Sequence, residues 1–214
     1  MVPVDLMIFD LDGTLVNSGG DIATSVNHTL KSLGLPAIEN RMVLQYIGDG
    51  IGKLIERSLG PASRERLDEA IGIFSNHYRD HLLDTTVPYP GVVEALEHFH
   101  GRKKVILTNK RHLFARLSRD ALGLTVFFDE ILGADSTPRI KPDARLVYPL
   151  LERFHASPER TVMIGDGIND ILLARNSGIM SCAFLAGLTD RTILTGMNPD
   201  FRFEHFRELP LLFT

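Results

Sequence analysis

The chain has 214 residues, of which 44% are hydrophobic and 23% charged, a composition typical of a globular protein with a sizeable core. Its formal net charge of -4 gives no general attraction to nucleic acid or to an anionic membrane, so neither is expected as a partner. The single cysteine, Cys182, cannot form an intrachain disulfide, and no apolar stretch reaches the length of a membrane span. We therefore expect a cytoplasmic protein.

Five short apolar runs alternate with longer amphipathic segments. They occupy residues 4–9, 104–107, 126–132, 161–164 and 180–185. Strands that alternate with helices predict an α/β fold, with a Rossmann-like parallel sheet and helices on both faces. The last stretch, residues 188–214, contains a Gly-Met-Asn-Pro turn, predicts one short strand and one helix, and carries no motif.

The first strand runs directly into Asp10-Leu11-Asp12-Gly13-Thr14. Ligands of open α/β sheets bind outside the carboxyl ends of the strands, where these two carboxylates are expected to lie. Two close carboxylates repel each other, and a divalent cation is the usual remedy. Taken alone, Asp-x-Asp also fits a solvated turn.

The gap between the first and second strands is too long for an ordinary crossover and shows a helical pattern instead. Ser18 and Asp21 fit the capped start of a first helix, and further apolar stripes follow, interrupted at Gly48-Asp49-Gly50. We predict a small helical domain over residues 16–84, inserted into a core domain made of residues 1–15 and 85–214.

Three later strand ends also carry polar groups. Thr108, Asn109 and Lys110 follow the second run, and the hydroxyl and amide groups there would suit a phosphoryl oxygen. Lys141, held extended by the proline after it, would offset negative charge on Asp10 and on a phosphoryl group. Each of these features alone also fits a helix cap or a surface turn.

The fourth strand ends in Gly165-Asp166-Gly167-Ile168-Asn169-Asp170. Asp166 stands at the strand end and Asp170 in the first turn of the next helix, so both carboxylates can face one cation. Mg²⁺ characteristically binds one or two carboxylates together with a substrate phosphate. Asp170 alone would also fit the favourable placement of an acid near a helix N-terminus.

These four strand ends, in this order, resemble the four motifs of the haloacid dehalogenase superfamily, and the helical insert resembles the small cap of that superfamily. The runs Asp-Leu-Asp-Gly-Thr-Leu-Val-Asn-Ser, Tyr46-Ile47-Gly48-Asp49-Gly50 and Thr-Asn-Lys are most similar to those of phosphoglycolate phosphatases. Two positions depart from the pattern. Ala144 stands where many relatives have a second proline, and Gly167 stands where Ser or Thr is frequent.

The resemblance implies a Mg²⁺-dependent hydrolase of small phosphate esters. Asp10 would attack phosphorus and form an aspartyl phosphate, while Asp12 would protonate the leaving alkoxide and then activate water. Thr108, Asn109 and Lys141 would hold the transferring oxygens. The cation ligands would be the Asp10 carboxylate, the backbone carbonyl of Asp12 and Asp166, with Asp170 either a further ligand or an orienting group.

The cap implies substrate selection. Gly48 and Gly50 would allow close approach to a ligand, and Lys53 and Arg57 together with Lys110 would meet the carboxylate of 2-phosphoglycolate. Lys53 and Arg57, one helical turn apart, also fit an ordinary solvated helix face.

Several alternatives stay open at this point. The motifs also fit a phosphosugar phosphatase, a pyrophosphatase, a phosphosugar mutase or, more remotely, a non-catalytic binding protein, and the chain fits a monomer or a homodimer. Residues 48–53 resemble a nucleotide phosphate loop but lack its glycine at position 47 and its Ser or Thr at position 54. His77 and His81 lack the intervening Glu of a zinc protease helix, which favours a solvated or half-buried helix face.

Overall fold

A computed structural model describes residues 1–214. The chain forms eight strands and ten α-helices, in this order: β1 Leu6–Phe9, β2 Val16–Asn17, α1 Gly19–Ser32, α2 Asn40–Leu44, α3 Ile51–Leu59, α4 Leu67–His81, β3 Val87–Pro88, α5 Val92–His98, β4 Lys103–Leu107, α6 His112–Ala121, β5 Glu130–Leu132, α7 Tyr148–Phe154, β6 Thr161–Gly165, α8 Ile168–Ser177, β7 Met180–Phe184, α9 Arg191–Gly196, β8 Phe201–Phe203 and α10 Leu209–Leu212. No helix is both long enough and apolar enough to cross a membrane.

Six strands form one parallel sheet in the order β5-β4-β1-β6-β7-β8. β1 lies in the middle, with Ile8 opposite Val105 of β4 on one side and Met163 of β6 on the other. The predicted α/β fold with a parallel sheet is therefore confirmed. Because β4, β1 and β6 are neighbours and run in one direction, their carboxyl ends meet at a single edge of the sheet.

The sequence of β1 explains its central place. All four of its residues are buried, as expected for a parallel strand covered on both faces by helices. Alternate side chains point to opposite faces, so Met7 and Phe9 join the larger core cluster and Leu6 and Ile8 join the core on the other side.

Two segments differ from the sequence prediction. The run predicted as a strand over 126–132 contributes only Glu130–Leu132, because Thr125–Phe127 forms a 3₁₀ turn in which the Val126 side chain is 84% exposed. The final segment contains the predicted short strand, β8, which completes the sheet, but two helices, α9 and α10, where one was predicted. It also buries Phe203, Phe206 and Phe213 in the larger core cluster. The segment therefore contributes to the fold, although it carries no motif.

The helical insert comprises α1 to α4. It has a buried apolar cluster in which α1 packs against α4 and which Phe114 of α6 joins from the core domain. A two-stranded antiparallel ribbon joins it to the core, with Val16 of β2 opposite Pro88 of β3. The boundaries predicted at residues 16 and 84 fall at this ribbon and just before it. Asp21, in the first turn of α1, accepts hydrogen bonds from the backbone and hydroxyl groups of both Thr85 and Thr86.

Ser18 does not act as the helix cap that the sequence suggests. Its side chain makes no hydrogen bond to the first turn of α1, and its hydroxyl instead donates to Asp12 Oδ1 at 2.6 Å. The residue thus connects the start of the helical insert to the sheet edge, through a hydroxyl that donates to an ionised acceptor.

Candidate active site

The polar strand ends predicted from the sequence converge at one edge of the sheet. Asp10 follows β1, Thr108 follows β4 and Asp166 follows β6, and all three side chains are buried. Lys141 and Asp170 are buried beside them. These side chains come together because Asp10, Thr108 and Asp166 follow three adjacent parallel strands, β1, β4 and β6. Lys141 lies in the loop before α7 and Asp170 in the first turn of α8, both beside the same sheet edge.

Three carboxylates form the centre of the site. Oxygens of Asp10, Asp166 and Asp170 all lie within 4.8 Å of one another. Burial and the Asp10 carboxylate raise the pKa of Asp166 to about 7. Burial also raises the pKa of Asp170 to about 6, although Lys141 acts in the opposite direction. The cluster therefore holds more negative charge than its surroundings neutralise.

Lys141 is the one cation inside this cluster. Its Nζ lies 2.7 Å from Asp170 Oδ1 and 2.9 Å from Asp10 Oδ1. Burial would lower the pKa of the Lys141 ammonium, but the two carboxylates outweigh burial and raise it. One ammonium facing three carboxylates leaves room for a further positive charge.

Three glycines make space for the carboxylates. A Cβ at Gly13 would lie 2.2 Å from Asp166 Oδ2, and one at Gly165 would lie 2.0 Å from Asp170 Oδ2. At Gly187 it would lie 2.3 Å from the Cβ of Asp166. Gly13 also has a φ of 85°, a conformation that side chains disfavour. The acids can approach one another only because these positions lack side chains.

Asp166 is held in place by groups from two distant segments. The Thr14 hydroxyl donates to Asp166 Oδ1 at 2.7 Å, and the backbone N–H of Leu188 donates to Oδ2 at 2.7 Å. Thr14 belongs to the first motif, so the sequence already placed it close to the site. Leu188 contributes a backbone group, which any residue type could supply, and no sequence pattern identifies it.

The Asp12 side chain points away from the carboxylate cluster. Its Oδ1 accepts hydrogen bonds from the Ser18 hydroxyl at 2.6 Å and from Lys110 Nζ at 2.7 Å. This arrangement leaves only its backbone carbonyl for a cation held by the cluster, as the resemblance implies. Its carboxylate is available for separate chemistry.

Lys110 has a different position from the one expected of a substrate-binding cation. Its side chain is only 5% exposed, and Nζ donates to Tyr78 at 2.6 Å as well as to Asp12. Burial would lower the pKa of the Lys110 ammonium, but the neighbouring Asp12 and Tyr78 raise it. The charge of Lys110 is thus already matched by Asp12, because the two residues lie at the ends of adjacent strands.

The Asn109 side chain links segments of the protein. Its Nδ2 donates to the carbonyls of Gly48 at 2.9 Å and Lys141 at 3.1 Å, and its Oδ1 accepts from the Lys141 backbone. The amide group predicted to hold a phosphoryl oxygen is therefore already engaged. The backbone N–H of Asn109 and the hydroxyl of Thr108 donate no hydrogen bond within the protein.

The loop at Gly48-Asp49-Gly50 brings the helical insert onto the sheet edge. The Gly48 carbonyl accepts from Asn109 and Asn169, and Asp49 accepts from Asn169 Nδ2 at 2.7 Å. A Cβ at Gly50 would lie 3.2 Å from the Asn109 carbonyl. The close approach seen at Gly50 is to the protein backbone, whereas the approach expected from the sequence was to a ligand.

Lys53 does not reach this site. Its Nζ lies 2.7 Å from Glu56, its side chain is 58% exposed, and it lines an outer cleft. Ile51 and Leu54 occupy the inward face of α3, which places Lys53 between them on the outer face. The solvated-helix alternative thus describes its position.

A partly open cavity of about 60 Å³ lies between the insert and the sheet edge. Its walls combine Asp10, Asp12 and the residues after β4 with apolar side chains of α1, α3, α4 and α6. Arg111, which the sequence analysis did not single out, also lines the cavity. It directly follows the Thr-Asn-Lys run, and this adjacency is the only sequence signal that could have identified it.

Comparison with known proteins agrees with this geometry. Residues 7–184 match the family model described as haloacid dehalogenase-like hydrolase. The chain is 34% identical to a phosphoglycolate phosphatase of Agrobacterium fabrum, over 97% of this chain and 92% of that protein. It is 35% identical to a phosphoglycolate phosphatase of Haemophilus influenzae, over 95% and 96% of the two chains.

A solved structure is also similar throughout. The crystal structure of a predicted phosphoglycolate phosphatase from Haemophilus somnus has a TM-score of 0.93 and 30% identity, covering 99% of each chain. The family match, the full-length relatives and the convergent strand ends give one conclusion. The chain belongs to the haloacid dehalogenase-like hydrolase family.

Proposed function

We propose that this protein is a phosphatase that hydrolyses 2-phosphoglycolate through an aspartyl phosphate on Asp10. The observation that carries the proposal is the division between two neighbouring carboxylates. Asp10 lies in the cluster beside Lys141, whereas Asp12 faces the cavity and is paired with Lys110. This division supports attack by Asp10 and proton transfer by Asp12.

The carboxylate cluster fits Mg²⁺. Its donors are hard oxygen atoms, and three buried acids against one ammonium leave an excess of negative charge. Asp10, Asp166, Asp170 and the Asp12 carbonyl would hold the ion. When bound, Mg²⁺ would supply positive charge to the phosphoryl oxygens and keep the carboxylates ionised.

The protein groups around the cluster would divide the remaining work. The Asp10 carboxylate would attack phosphorus while the leaving alkoxide takes a proton from Asp12. Asp12 would then accept a proton from the water that hydrolyses the acyl phosphate. The Lys141 ammonium, the Thr108 hydroxyl and the Asn109 backbone N–H would hold the phosphoryl oxygens as charge moves between them.

The small cavity beneath the insert supports a small substrate. Its volume of about 60 Å³ suits a compact leaving group, and its partial cover by α1, α3 and α4 would limit the access of bulk water. The relatives named phosphoglycolate phosphatase cover nearly the whole chain, including the insert that forms this cover. Glycolate is a two-carbon leaving group that suits such a space.

The test is a panel of small phosphate esters with and without Mg²⁺, ranked by catalytic efficiency. We expect the highest value for 2-phosphoglycolate, release of inorganic phosphate and no isomerised ester, which would distinguish a phosphatase from a mutase. Asp10→Asn should lower kcat by about 10³-fold or more with an unchanged circular dichroism spectrum. A higher catalytic efficiency with a phosphosugar or with pyrophosphate would contradict the proposed substrate.

A further inference from the structure

We infer that Arg111 recognises the carboxylate of the substrate, an assignment that rests on the proposed function and names the residue that selects its substrate class. Three other cations near the cavity have carboxylate partners. Lys110 is paired with Asp12, Lys53 with Glu56, and Arg57 with Asp49. Arg111 has no such partner.

The only side-chain hydrogen bond of Arg111 is weak. Its Nη1 lies 3.4 Å from the Ser75 hydroxyl, at the outer limit of a hydrogen bond. The guanidinium has five N–H donors, so most of them remain free. Because Arg111 is half-buried, water compensates those donors only in part. An anion placed against this group would satisfy both its charge and its donors.

The position of Arg111 suits an anion carried by the leaving group. It lines the same cavity as Asp10 and Asp12, and it also lines the outer cleft of about 540 Å³. It therefore lies where the cavity that holds the reacting groups adjoins the outer cleft. A substrate whose phosphoryl group meets Asp10 would direct its remaining atoms across the cavity, which Arg111 borders.

The apolar and acidic residues of the cavity wall also favour a cation at Arg111. Ile51, Leu54, Phe74 and Phe114 offer no hydrogen bonds, and Asp12 would repel an anion. A carboxylated ester would consequently gain little in the cavity unless a cation offsets that repulsion. A guanidinium binds a carboxylate through two parallel hydrogen bonds, which fixes the orientation of the leaving group as well as its charge.

The test compares esters that differ only in this carboxylate. The catalytic efficiency with 2-phosphoglycolate is divided by the efficiency with 2-hydroxyethyl phosphate, and phospholactate and 3-phosphoglycerate are measured in the same way against neutral esters of similar size. The ratio is determined for wild type, Arg111→Ala and Arg111→Lys. Arg116→Ala is the control, since this arginine lies on α6 with a side chain that is 50% exposed.

We expect Arg111→Ala to lower the carboxylate preference about 100-fold, Arg111→Lys to lower it less, and Arg116→Ala to keep it. Hydrolysis of the neutral ester and thermal unfolding report whether each variant is folded. A wild-type preference for 2-phosphoglycolate that survives in Arg111→Ala would overturn the inference and leave the proposed function standing.

Two other outcomes separate the two proposals further. If wild type prefers a different carboxylated ester and Arg111→Ala loses that preference, the assignment of Arg111 holds and 2-phosphoglycolate is wrong as the substrate. If wild type prefers no carboxylated ester over its neutral counterpart, both the assignment and the proposed substrate are wrong.

Discussion

Lys110 Nζ lies 2.7 Å from Asp12 Oδ1 and 2.6 Å from the Tyr78 hydroxyl, so one ammonium joins the sheet edge to helix α4 of the insert. Burial raises the pKa of Tyr78 to about 12, which keeps this hydroxyl neutral and able to accept from Lys110. The carboxylate proposed for proton transfer is thus positioned partly by the helical insert.

Lys110→Met should therefore lower kcat for every ester. The substitution leaves the Asp12 carboxylate without its counter-charge, so proton transfer suffers whichever leaving group is present. We expect a loss of about 10- to 100-fold in kcat, equal for 2-phosphoglycolate and 2-hydroxyethyl phosphate. Steady-state kinetics on the two esters measure it, with Lys103→Met, remote from the site, as the control. A rise in the Michaelis constant confined to the carboxylated ester would contradict this role.

Asp166 should make the metal-free protein less stable as pH rises. Burial raises its pKa from 3.8 to about 7, so between about pH 4 and pH 7 the folded protein holds a proton that the unfolded chain has released. Its contribution to the free energy of unfolding falls as pH increases through that window. Mg²⁺ should reverse the loss by compensating the buried charge.

Without metal at pH 8, Asp166→Asn is accordingly expected to have a higher Tm than wild type. The difference should shrink toward pH 5.5, where wild-type Asp166 is protonated, and Mg²⁺ should raise the Tm of wild type far more than that of the variant. Thermal unfolding at several pH values, with and without Mg²⁺, measures both effects. A difference in Tm that does not change with pH would refute the raised pKa.

Asn169 should contribute to closure of the insert over the site. Its Nδ2 donates to Asp49 at 2.7 Å and to the Gly48 carbonyl at 3.2 Å. Asn169→Ala removes both contacts and should lower the catalytic efficiency about 3- to 10-fold through weaker closure. Asn176→Ala is a matched control on the same helix, because that side chain bonds only the Pro142 carbonyl. Equal effects of the two variants would show that Asn169 has no part in closure.

Asp21 should stabilise the junction between insert and core. Burial would raise the pKa of Asp21, but hydrogen bonds from Thr85 and Thr86 outweigh it and lower the pKa. Asp21→Ala leaves the donors of buried Thr86 without an acceptor and removes the bonds to the more exposed Thr85, and it should cost about 3 kcal/mol of unfolding free energy. Urea denaturation measures this, and Asp68→Ala, a more accessible acid in the first turn of α4, should change little. A similarly small loss for Asp21→Ala would contradict its role at the junction.

Much of the site could be predicted from local sequence. At Phe9-Asp10 and at Ile164-Gly165-Asp166, an apolar strand is followed at once by an acid. A few neighbouring residues therefore predict both the strand and the functional group at its end. Parallel pairing of β1 with β4 and β6 then brings the strand ends together without further information. Gly165 is also local to the acid it accommodates, Asp170, whereas Gly13 and Gly187 make space for Asp166 only in the folded protein.

The sequence did not predict which distant side chains pair with one another. Ser18 fits a helix cap in sequence, and Lys53 and Lys110 both fit substrate-binding cations. Residue type shows charge and hydrogen-bonding capacity, but it does not show where the side chain points. Only the packed structure turns Ser18 and Lys110 toward Asp12, turns Lys53 toward Glu56, and leaves Arg111 free beside the cavity. The sequence by itself determined which chemical groups stand at the sheet edge, whereas the tertiary structure decided which of them neutralise one another and which remain available for a ligand.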